Sequence, residues 1–178
     1  MLSDIEKVLL SEEAIRDRIG EVGRQITKDY DGKPVLALCI LRGSFVFFAD
    51  LVRQIDMPVE VAFMHAASYF EGSTSSGKVV LPDANIVDVA GKNILLVEDI
   101  VDSGRTLACL KETILEKKAT DLKICTLLDK PERRVVDVEV DYCGFQVPDE
   151  FVVGYGLDYN QKYRNLPYIG ILKREIYM

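Results

Sequence analysis

Three carboxylates and two hydroxyl groups lie within nine consecutive residues near the middle of the chain. Glu98 and Asp99 are adjacent, and the turn 102–106 reads Asp-Ser-Gly-Arg-Thr. Paired acids suit sugar hydroxyls or hydrated Mg²⁺, because carboxylate oxygens accept hydrogen bonds and are ligands that magnesium prefers. The hydroxyls and the arginine of the turn suit a phosphate group. These residue types therefore favour a site that binds a phosphorylated sugar.

A strand and a helix must bring these groups together. Residues 94–97 read Ile-Leu-Leu-Val, which predicts a central parallel strand covered on both faces. A helix is predicted from the turn to about Lys118, and its first backbone N–H groups have no partner within the helix. Such groups bind phosphate, and Gly104 lets a ligand approach the backbone closely. The sugar phosphate is therefore expected at the carboxyl end of this strand.

Helical and strand patterns alternate along the whole chain. Ser11 predicts the start of a helix that ends near Tyr30. The other predicted elements are strands at 35–40, 59–66, 122–128 and 151–153 and a helix at 45–54. This alternation predicts an α/β protein in which helices flank a central, twisted parallel sheet. In such proteins the loops at the carboxyl ends of the strands form the site.

The size and the charge of the chain narrow the classes of function. Its 178 residues fit a single domain over 1–178. The net charge of −7 argues against a general nucleic-acid surface, which would carry an excess of Lys and Arg. No apolar run reaches the length of a membrane span, and the amino terminus carries Asp4 and Glu6 where a signal peptide carries bases. We therefore expect a cytoplasmic protein that binds neither membranes nor nucleic acid.

Residues 72–78 resemble a phosphate-binding P-loop but lack its context. They read Gly-Ser-Thr-Ser-Ser-Gly-Lys, and residues 95–99 could act as the partner strand of such a loop. The next residue, Val79, is neither Ser nor Thr, and Pro82 stands where a P-loop is followed by a helix. We interpret the segment as a flexible hairpin or lid rather than a nucleoside triphosphate site.

Residues 94–106 resemble the diphosphoribose-binding motif of the type I phosphoribosyltransferases: a hydrophobic strand, two acids, two aliphatic residues, then Asp-Ser-Gly-x-Thr. Three further segments resemble that family's diphosphate loop and purine-recognition segments, namely 41–44, 127–134 and 151–159. From about Val8 to Ile171 the chain is similar to the hypoxanthine-guanine phosphoribosyltransferases. The resemblance implies the type I phosphoribosyltransferase fold, with a small hood at about 130–178 and a mobile lid at about 68–85.

The resemblance also implies a reaction and assigns residues to it. A 6-oxopurine base, hypoxanthine or guanine, would react with 5-phosphoribosyl-1-diphosphate, with Mg²⁺ as cofactor, to give IMP or GMP and diphosphate in purine salvage. Asp102 would be the acid/base near N7 of the purine. Lys130 would donate to the 6-oxo group, Phe151 would stack on the base and Val152 would meet its edge.

The remaining contacts are implied in the same way. Mg²⁺ would be held by Glu98, Asp99 and Asp158. The diphosphate would contact Leu41, Arg42, Gly43 and Arg164; the sugar and its phosphate would contact Glu98, Asp99, Asp102, Ser103, Gly104, Arg105 and Thr106; and Ser68 and Tyr69 of the lid would close over the substrates. Many relatives carry Lys in place of Arg42, and the peptide before that residue is often cis. Relatives are commonly oligomers, so a homodimer or homotetramer is expected.

Several of these residues have simpler interpretations. Arg42 and the other charges could be merely solvated, residues 151–153 could be an ordinary core strand, and Ser68-Tyr69 could belong to a surface loop. His65 lies in a strand pattern and is interpreted as structural rather than as a base.

Two other functions stay open. A phosphoribosyltransferase for xanthine, adenine, uracil or orotate would keep the turn at 98–106 but change the base-recognition residues, and here Lys130 and Phe151 favour a 6-oxopurine. A non-enzymatic regulator that senses phosphoribosyl diphosphate would show a basic face or an added helix-turn-helix, and this acidic sequence shows neither.

Overall fold

The structure, a computed structural model, describes residues 2–65 and 87–178. The lid predicted at 68–85, which contains Ser68 and Tyr69, and the P-loop-like segment 72–78 lie outside the described residues. Within the two described ranges, no helix is long and apolar enough to cross a membrane.

Five strands form the main sheet. They are β2 (Val35–Leu41), β3 (Val59–His65), β4 (Asn93–Val101), β5 (Asp121–Asp129) and β6 (Tyr142–Gln146). Their order is β3-β2-β4-β5-β6, and every neighbouring pair is parallel. The predicted parallel sheet is confirmed, and its central strands β2 and β4 share apolar, buried runs at 35–40 and 94–97 because both faces are covered there.

Three helices cover the two faces of this sheet: α1 (Glu12–Tyr30), α2 (Phe45–Val52) and α3 (Arg105–Glu116). The buried residues of α1 and α2 share one apolar cluster, and those of α3 belong to a second cluster on the other face. Ser11 caps α1 as predicted, since its Oγ accepts a hydrogen bond from Ala14 N at 3.2 Å. Helix α2 ends two residues before the predicted Gln54, because Gln54 N bonds to Leu51 O in a tighter turn.

A small second sheet joins the two ends of the chain. It contains β1 (Ile5–Leu10), β8 (Ile169–Leu172) and β7 (Val152–Val153), in the order β1-β8-β7 with antiparallel neighbours. A last helical turn, α4 (Arg174–Tyr177), follows β8. Strand pairing begins at Val152, so Phe151 lies just before β7 rather than within the predicted strand.

Strand β4 extends further than the sequence predicts. Its pairing with β2 ends at Val97, whereas its pairing with β5 continues to Val101. Glu98 and Asp99 therefore lie within the strand rather than after it, on the part where β2 is no longer a neighbour. This half-paired segment of β4 borders the candidate site.

Candidate active site

A cavity of about 580 Å³ opens at the carboxyl ends of β2 and β4. The chain passes from β2 outward to β3, and from β4 in the opposite direction to β5. This is a topological switch point, where open α/β sheets bind their ligands. The lining consists of Ile40, Leu41, Arg42, Gly43, His65, Glu98, Asp99, Ile100, Val101, Asp102, Ser103, Gly104, Thr106, Leu107, Asp158, Gln161 and Arg164. Among the described residues, the structure thus brings together the predicted sugar, diphosphate and metal residues, apart from Arg105.

Two adjacent carboxylates form the floor of the cavity. Burial, together with the neighbouring charge of Asp99, raises the pKa of Glu98 well above its usual range. Burial also raises the pKa of Asp99, although Asp99 Oδ1 accepts a hydrogen bond from Ile100 N at 2.7 Å. Two ionised carboxylates are therefore unfavourable here without a ligand. Sugar hydroxyls or a divalent cation would satisfy them.

Replacing Glu98 by glutamine is expected to raise the Tm of the ligand-free protein by about 2–4 °C at pH 8, because one of two crowded negative charges is removed. The raised pKa of Glu98 means that the folded state favours the protonated acid. The wild type therefore loses stability as the pH rises through that pKa, and the variant lacks this contribution of Glu98. The gain in Tm should shrink at pH 5, as measured by differential scanning calorimetry.

The matched control for this measurement is Glu116→Gln at the exposed end of α3. It is expected to leave Tm unchanged at both pH values. A Glu98→Gln variant whose Tm at pH 8 equals or falls below that of the wild type would contradict the interpretation of this acid pair.

The turn after β2 lies directly against Asp99. The peptide between Leu41 and Arg42 is cis. A Cβ on Gly43 would lie 1.5 Å from Asp99 Oδ2, so only glycine lets the carboxylate lie against the backbone at this point. Gly156 approaches from the other side with φ +102°, and a Cβ there would lie 2.1 Å from Gly43 O. The two glycines allow three chain segments to meet around one carboxylate.

The turn before α3 has the backbone geometry of an anion site. Gly104 is the N-cap with φ +80°, and a Cβ on it would lie 2.5 Å from Val136 O. Ser103 O is held by Val135 N and Val136 N, both at 3.0 Å. Because glycine supplies no side-chain cap, the first backbone N–H groups of α3 can meet an external anion. Arg105 is exposed and does not line the cavity.

Arginines from the segment after β5 hold Asp102. Arg133 Nε pairs with Asp102 Oδ1 at 2.7 Å, and Arg133 Nη1 also pairs with Asp149 Oδ1 at 3.1 Å. Arg134 Nη1 donates to Asp102 O at 3.1 Å, and the same guanidinium pairs with Asp129. The ion pair with Arg133 engages Oδ1, so the second carboxylate oxygen of Asp102 can still accept a proton. Sequence reasoning missed Arg133.

Two guanidinium groups converge on the opposite wall. Arg164 Nη2 pairs with Asp158 Oδ1 at 2.7 Å, and Arg164 Nη1 donates to Gly156 O at 2.7 Å. Gln161 Oε1 accepts from Arg42 Nη1 at 3.3 Å and from Arg164 Nη2 at 3.4 Å. The two arginines are therefore within reach of one multiply charged anion, such as a diphosphate. Gln161 was missed as well, because an exposed glutamine in a loop carries no chemical signature.

The predicted base-recognition residues form a separate group beside the cavity. Lys130, Phe151 and Val152 are not lining residues, but Lys130 N donates to Val101 O at 2.9 Å, next to the end of β4. Lys130 is 7% exposed, and its Nζ donates to Glu150 O at 2.6 Å. Burial lowers the pKa of its ammonium group. The Nζ atom also lies 3.8 Å from Asp149 Oδ1. An ammonium group has three N–H donors, so one is left for a ligand beside these two partners.

His65, interpreted from the sequence as structural rather than as a base, lies nearer to the site than that interpretation suggests. It is exposed at the end of β3, opposite Leu41 in the register of the sheet, and it lines the cavity. Its position at the carboxyl end of a parallel strand was the available signal, since such ends meet at one edge of the sheet.

The carboxylates fit a magnesium ion only if water or substrate completes its coordination. Glu98, Asp99 and Asp158 line the same cavity, and oxygen donors are what Mg²⁺ prefers. However, Asp158 already pairs with Arg164, and Asp158 Oδ2 accepts from Gln161 N at 2.8 Å. Among the residues that the structure describes, no three acids, histidines or cysteines form a complete metal-binding group. An incomplete set of protein ligands is compatible with Mg²⁺, because this ion commonly binds through one or two carboxylates together with water and phosphate oxygens.

Comparisons with known proteins agree with this geometry. A phosphoribosyl transferase domain matches residues 7–160. The hypoxanthine-guanine phosphoribosyltransferase of Lactococcus lactis is 54% identical over 173 residues, covering 97% of this chain and 94% of that protein. The enzyme of that name from Streptococcus thermophilus is 50% identical over 175 residues, covering 98% and 97%. A crystal structure of a hypoxanthine phosphoribosyltransferase from Staphylococcus aureus, 47% identical, superposes with a TM-score of 0.94 over 100% of this chain and 97% of that one.

The chain belongs to the phosphoribosyl transferase domain family. The predicted type I fold and the prediction of a phosphoribosyltransferase enzyme are confirmed. Within that family, the predicted resemblance to the hypoxanthine-guanine phosphoribosyltransferases is confirmed over nearly the whole length of the chain.

Proposed function

We propose that the protein is a purine salvage enzyme that transfers 5-phosphoribosyl from 5-phosphoribosyl-1-diphosphate to hypoxanthine or guanine, giving IMP or GMP and diphosphate. One observation carries the proposal: adjacent acids, the amino-terminal end of α3 and two guanidinium groups line a single cavity. These groups offer separate sites for ribose hydroxyls, a 5′-phosphate and a leaving diphosphate. The names of the relatives support the class of base.

In the proposed reaction, N9 of the purine forms a bond to the anomeric carbon while the bond from that carbon to the diphosphate oxygen breaks. The leaving diphosphate takes the electron pair, and the guanidinium groups of Arg42 and Arg164 stabilise its charge. Glu98 and Asp99 orient the ribose through its hydroxyls as the ring gains oxocarbenium character. Asp102 accepts the proton that N7 of the purine loses.

We propose Mg²⁺ as the cofactor, held by Glu98 and Asp99 and by Asp158 through water. When bound, the cation would neutralise part of the diphosphate charge. The geometry of Asp158 supports this indirect contact, because both of its oxygens already accept hydrogen bonds or ion pairs from Arg164 and Gln161.

The decisive assay measures turnover of the purified protein with 5-phosphoribosyl-1-diphosphate and each of hypoxanthine, guanine, xanthine and adenine, with and without Mg²⁺. Turnover of hypoxanthine or guanine that depends on Mg²⁺ is expected. A rate with adenine alone would contradict the assignment of Lys130, and no product with any base would contradict the proposed function. Light scattering on the same preparation tests the proposed homodimer or homotetramer.

Replacing Lys130 by methionine is expected to raise KM for hypoxanthine about ten- to a hundredfold, the usual worth of one hydrogen bond from a charged donor. Methionine keeps much of the side-chain length but donates no hydrogen bond, so the 6-oxo group would lose its partner. Initial velocities at saturating 5-phosphoribosyl-1-diphosphate provide the measurement.

Lys123→Met is the matched control, because Lys123 lies on β5, the strand that ends just before Lys130, but contacts Tyr142 and Tyr30 instead of the site. It should leave KM for hypoxanthine unchanged. Equal values of KM for the Lys130 variant and the wild type would show that Lys130 does not recognise the base.

A further inference from the structure

The ring of Phe151 is packed against two other aromatic rings. Tyr177 is stacked on it, with ring centroids 4.7 Å apart and an interplanar angle of 22°. Tyr159 meets it at 5.6 Å and 89°, in an edge arrangement. Phe151 nevertheless stays 36% exposed. One face of the ring is thus occupied by Tyr177, so a stacked base has only the other face available.

The carboxyl terminus is anchored where it supplies this stacking partner. Leu172 N donates to Phe151 O at 2.8 Å, and Lys173 N donates to Asp4 O at 3.0 Å. Helix α4 begins at the next residue, and its Ile176 and Tyr177 pack against a small apolar cluster that also includes Tyr159 at its edge. The position of Tyr177 therefore follows from the second sheet, which joins both ends of the chain, rather than from a loose tail.

Phe151 and Lys130 both lie next to the backbone carbonyl group of Glu150. Lys130 Nζ donates to Glu150 O at 2.6 Å, and Phe151 is the next residue. A base that hydrogen bonds to this ammonium group is therefore beside the Phe151 ring. The tilt of that ring decides whether stacking and the hydrogen bond can be satisfied together. Aromatic stacking prefers offset, nearly parallel rings, so the partner on the far face controls the tilt.

We propose that Tyr177 is a positioning residue for base binding: it holds the plane of Phe151 so that the purine is stacked and hydrogen bonded at once. The inference rests on the proposed function, in which Phe151 stacks on the base. Tyr177 acts through Phe151 and touches no reacting atom. It is therefore required for binding of the base but not for binding of 5-phosphoribosyl-1-diphosphate, which uses the cavity at β2 and β4.

The test compares Tyr177→Ala, Tyr177→Leu and Tyr177→Phe with the wild type, measuring KM for hypoxanthine and KM for 5-phosphoribosyl-1-diphosphate separately. The alanine and leucine variants should raise KM for hypoxanthine about three- to tenfold, the usual contribution of one aromatic pair, and leave the other KM within about twofold. The phenylalanine variant keeps the ring and should behave as the wild type. Leucine preserves apolar volume, so it decides the outcome if alanine lowers the Tm.

Three results would overturn the inference. An unchanged KM for hypoxanthine, or equal rises in both KM values, would show that Tyr177 has only a structural role. A lower KM for hypoxanthine would show that Tyr177 obstructs the base instead of positioning its partner. Wild-type turnover, measured in the same series, separates this inference from its premise: no wild-type turnover contradicts both, whereas normal wild-type turnover with unaltered variants contradicts only the role of Tyr177.

Discussion

Asp102→Asn is expected to lower kcat by roughly a hundredfold or more, the usual worth of a general acid/base, while the protein stays folded. Asparagine keeps the size of the side chain but cannot take the proton that N7 of the purine loses. Stability should change little, because the ion pair between Asp102 and Arg133 is about half exposed, with side chains 47% and 49% accessible. Steady-state kinetics with hypoxanthine and a thermal unfolding scan measure both effects.

Asp149→Asn provides the matched control. Asp149 pairs with the same arginine at 3.1 Å and lies 3.8 Å from Lys130 Nζ, but it does not line the cavity. This change removes one partner of Arg133 and one of Lys130 without removing the acid/base, so kcat should stay within about twofold of the wild-type value, as is typical of a surface pair. A change in KM for hypoxanthine in this variant would report on Lys130 and not on Asp102. A folded Asp102→Asn variant with the wild-type kcat would contradict the role of Asp102 as the acceptor of the proton from N7.

Gly43→Ala is expected to lower kcat/KM about a hundredfold without unfolding the protein, because displacing a catalytic or binding group by about 1 Å can cost that much. The added Cβ would lie 1.5 Å from Asp99 Oδ2 and 2.6 Å from Asp99 Cγ. The Asp99 carboxylate can rotate away from the added Cβ, so the substitution displaces a group of the site but leaves the fold intact. Kinetic measurements together with circular dichroism separate the two effects.

Gly20→Ala in α1 is the corresponding control, because a Cβ there would meet Arg24 Nη1 only at 3.4 Å. Alanine within a helix is expected to add about 0.5–1 kcal/mol of stability and to leave kinetics unchanged. A Gly43→Ala variant with normal kcat/KM would mean that the position of Asp99 against this turn is unimportant for the reaction.

The features of the site that arise within one short segment could be predicted from the sequence. The strand, the acids and the helix start of residues 94–106 are contiguous, so residue order alone brings them together. The apolar run at 35–40 likewise predicted a buried strand, which the structure shows as β2 (Val35–Leu41), and the turn after it borders the same cavity. Parallel sheets place such ends at one edge, which explains why these predictions succeeded.

Contacts between distant segments could not be predicted in this way. The pair between Arg133 and Asp102 depends on how the chain leaves β5, and Gln161 meets Arg42 from a position 119 residues away. The extension of β4 through Asp99 depends on its pairing with β5 alone. The local sequence does not indicate at which residue a strand stops pairing with each of its two neighbours.

The second sheet illustrates the same limit. Its β1 and β8 come from opposite ends of the chain and pair with irregular register. Their contact determines where Tyr177 lies relative to Phe151. The sequence of neither segment predicts that it pairs with the other. Tertiary pairing therefore had to be observed before the aromatic stack could be recognised.

A crystal structure of the protein with IMP or GMP bound tests the central claim most directly. The account predicts that the 5′-phosphate contacts the backbone N–H groups of residues 103–107, that Glu98 and Asp99 lie beside the ribose hydroxyls, and that Asp102 approaches N7 of the base. A nucleotide bound outside this cavity, or with its phosphate at Arg42 and its ribose away from both acids, would contradict the account.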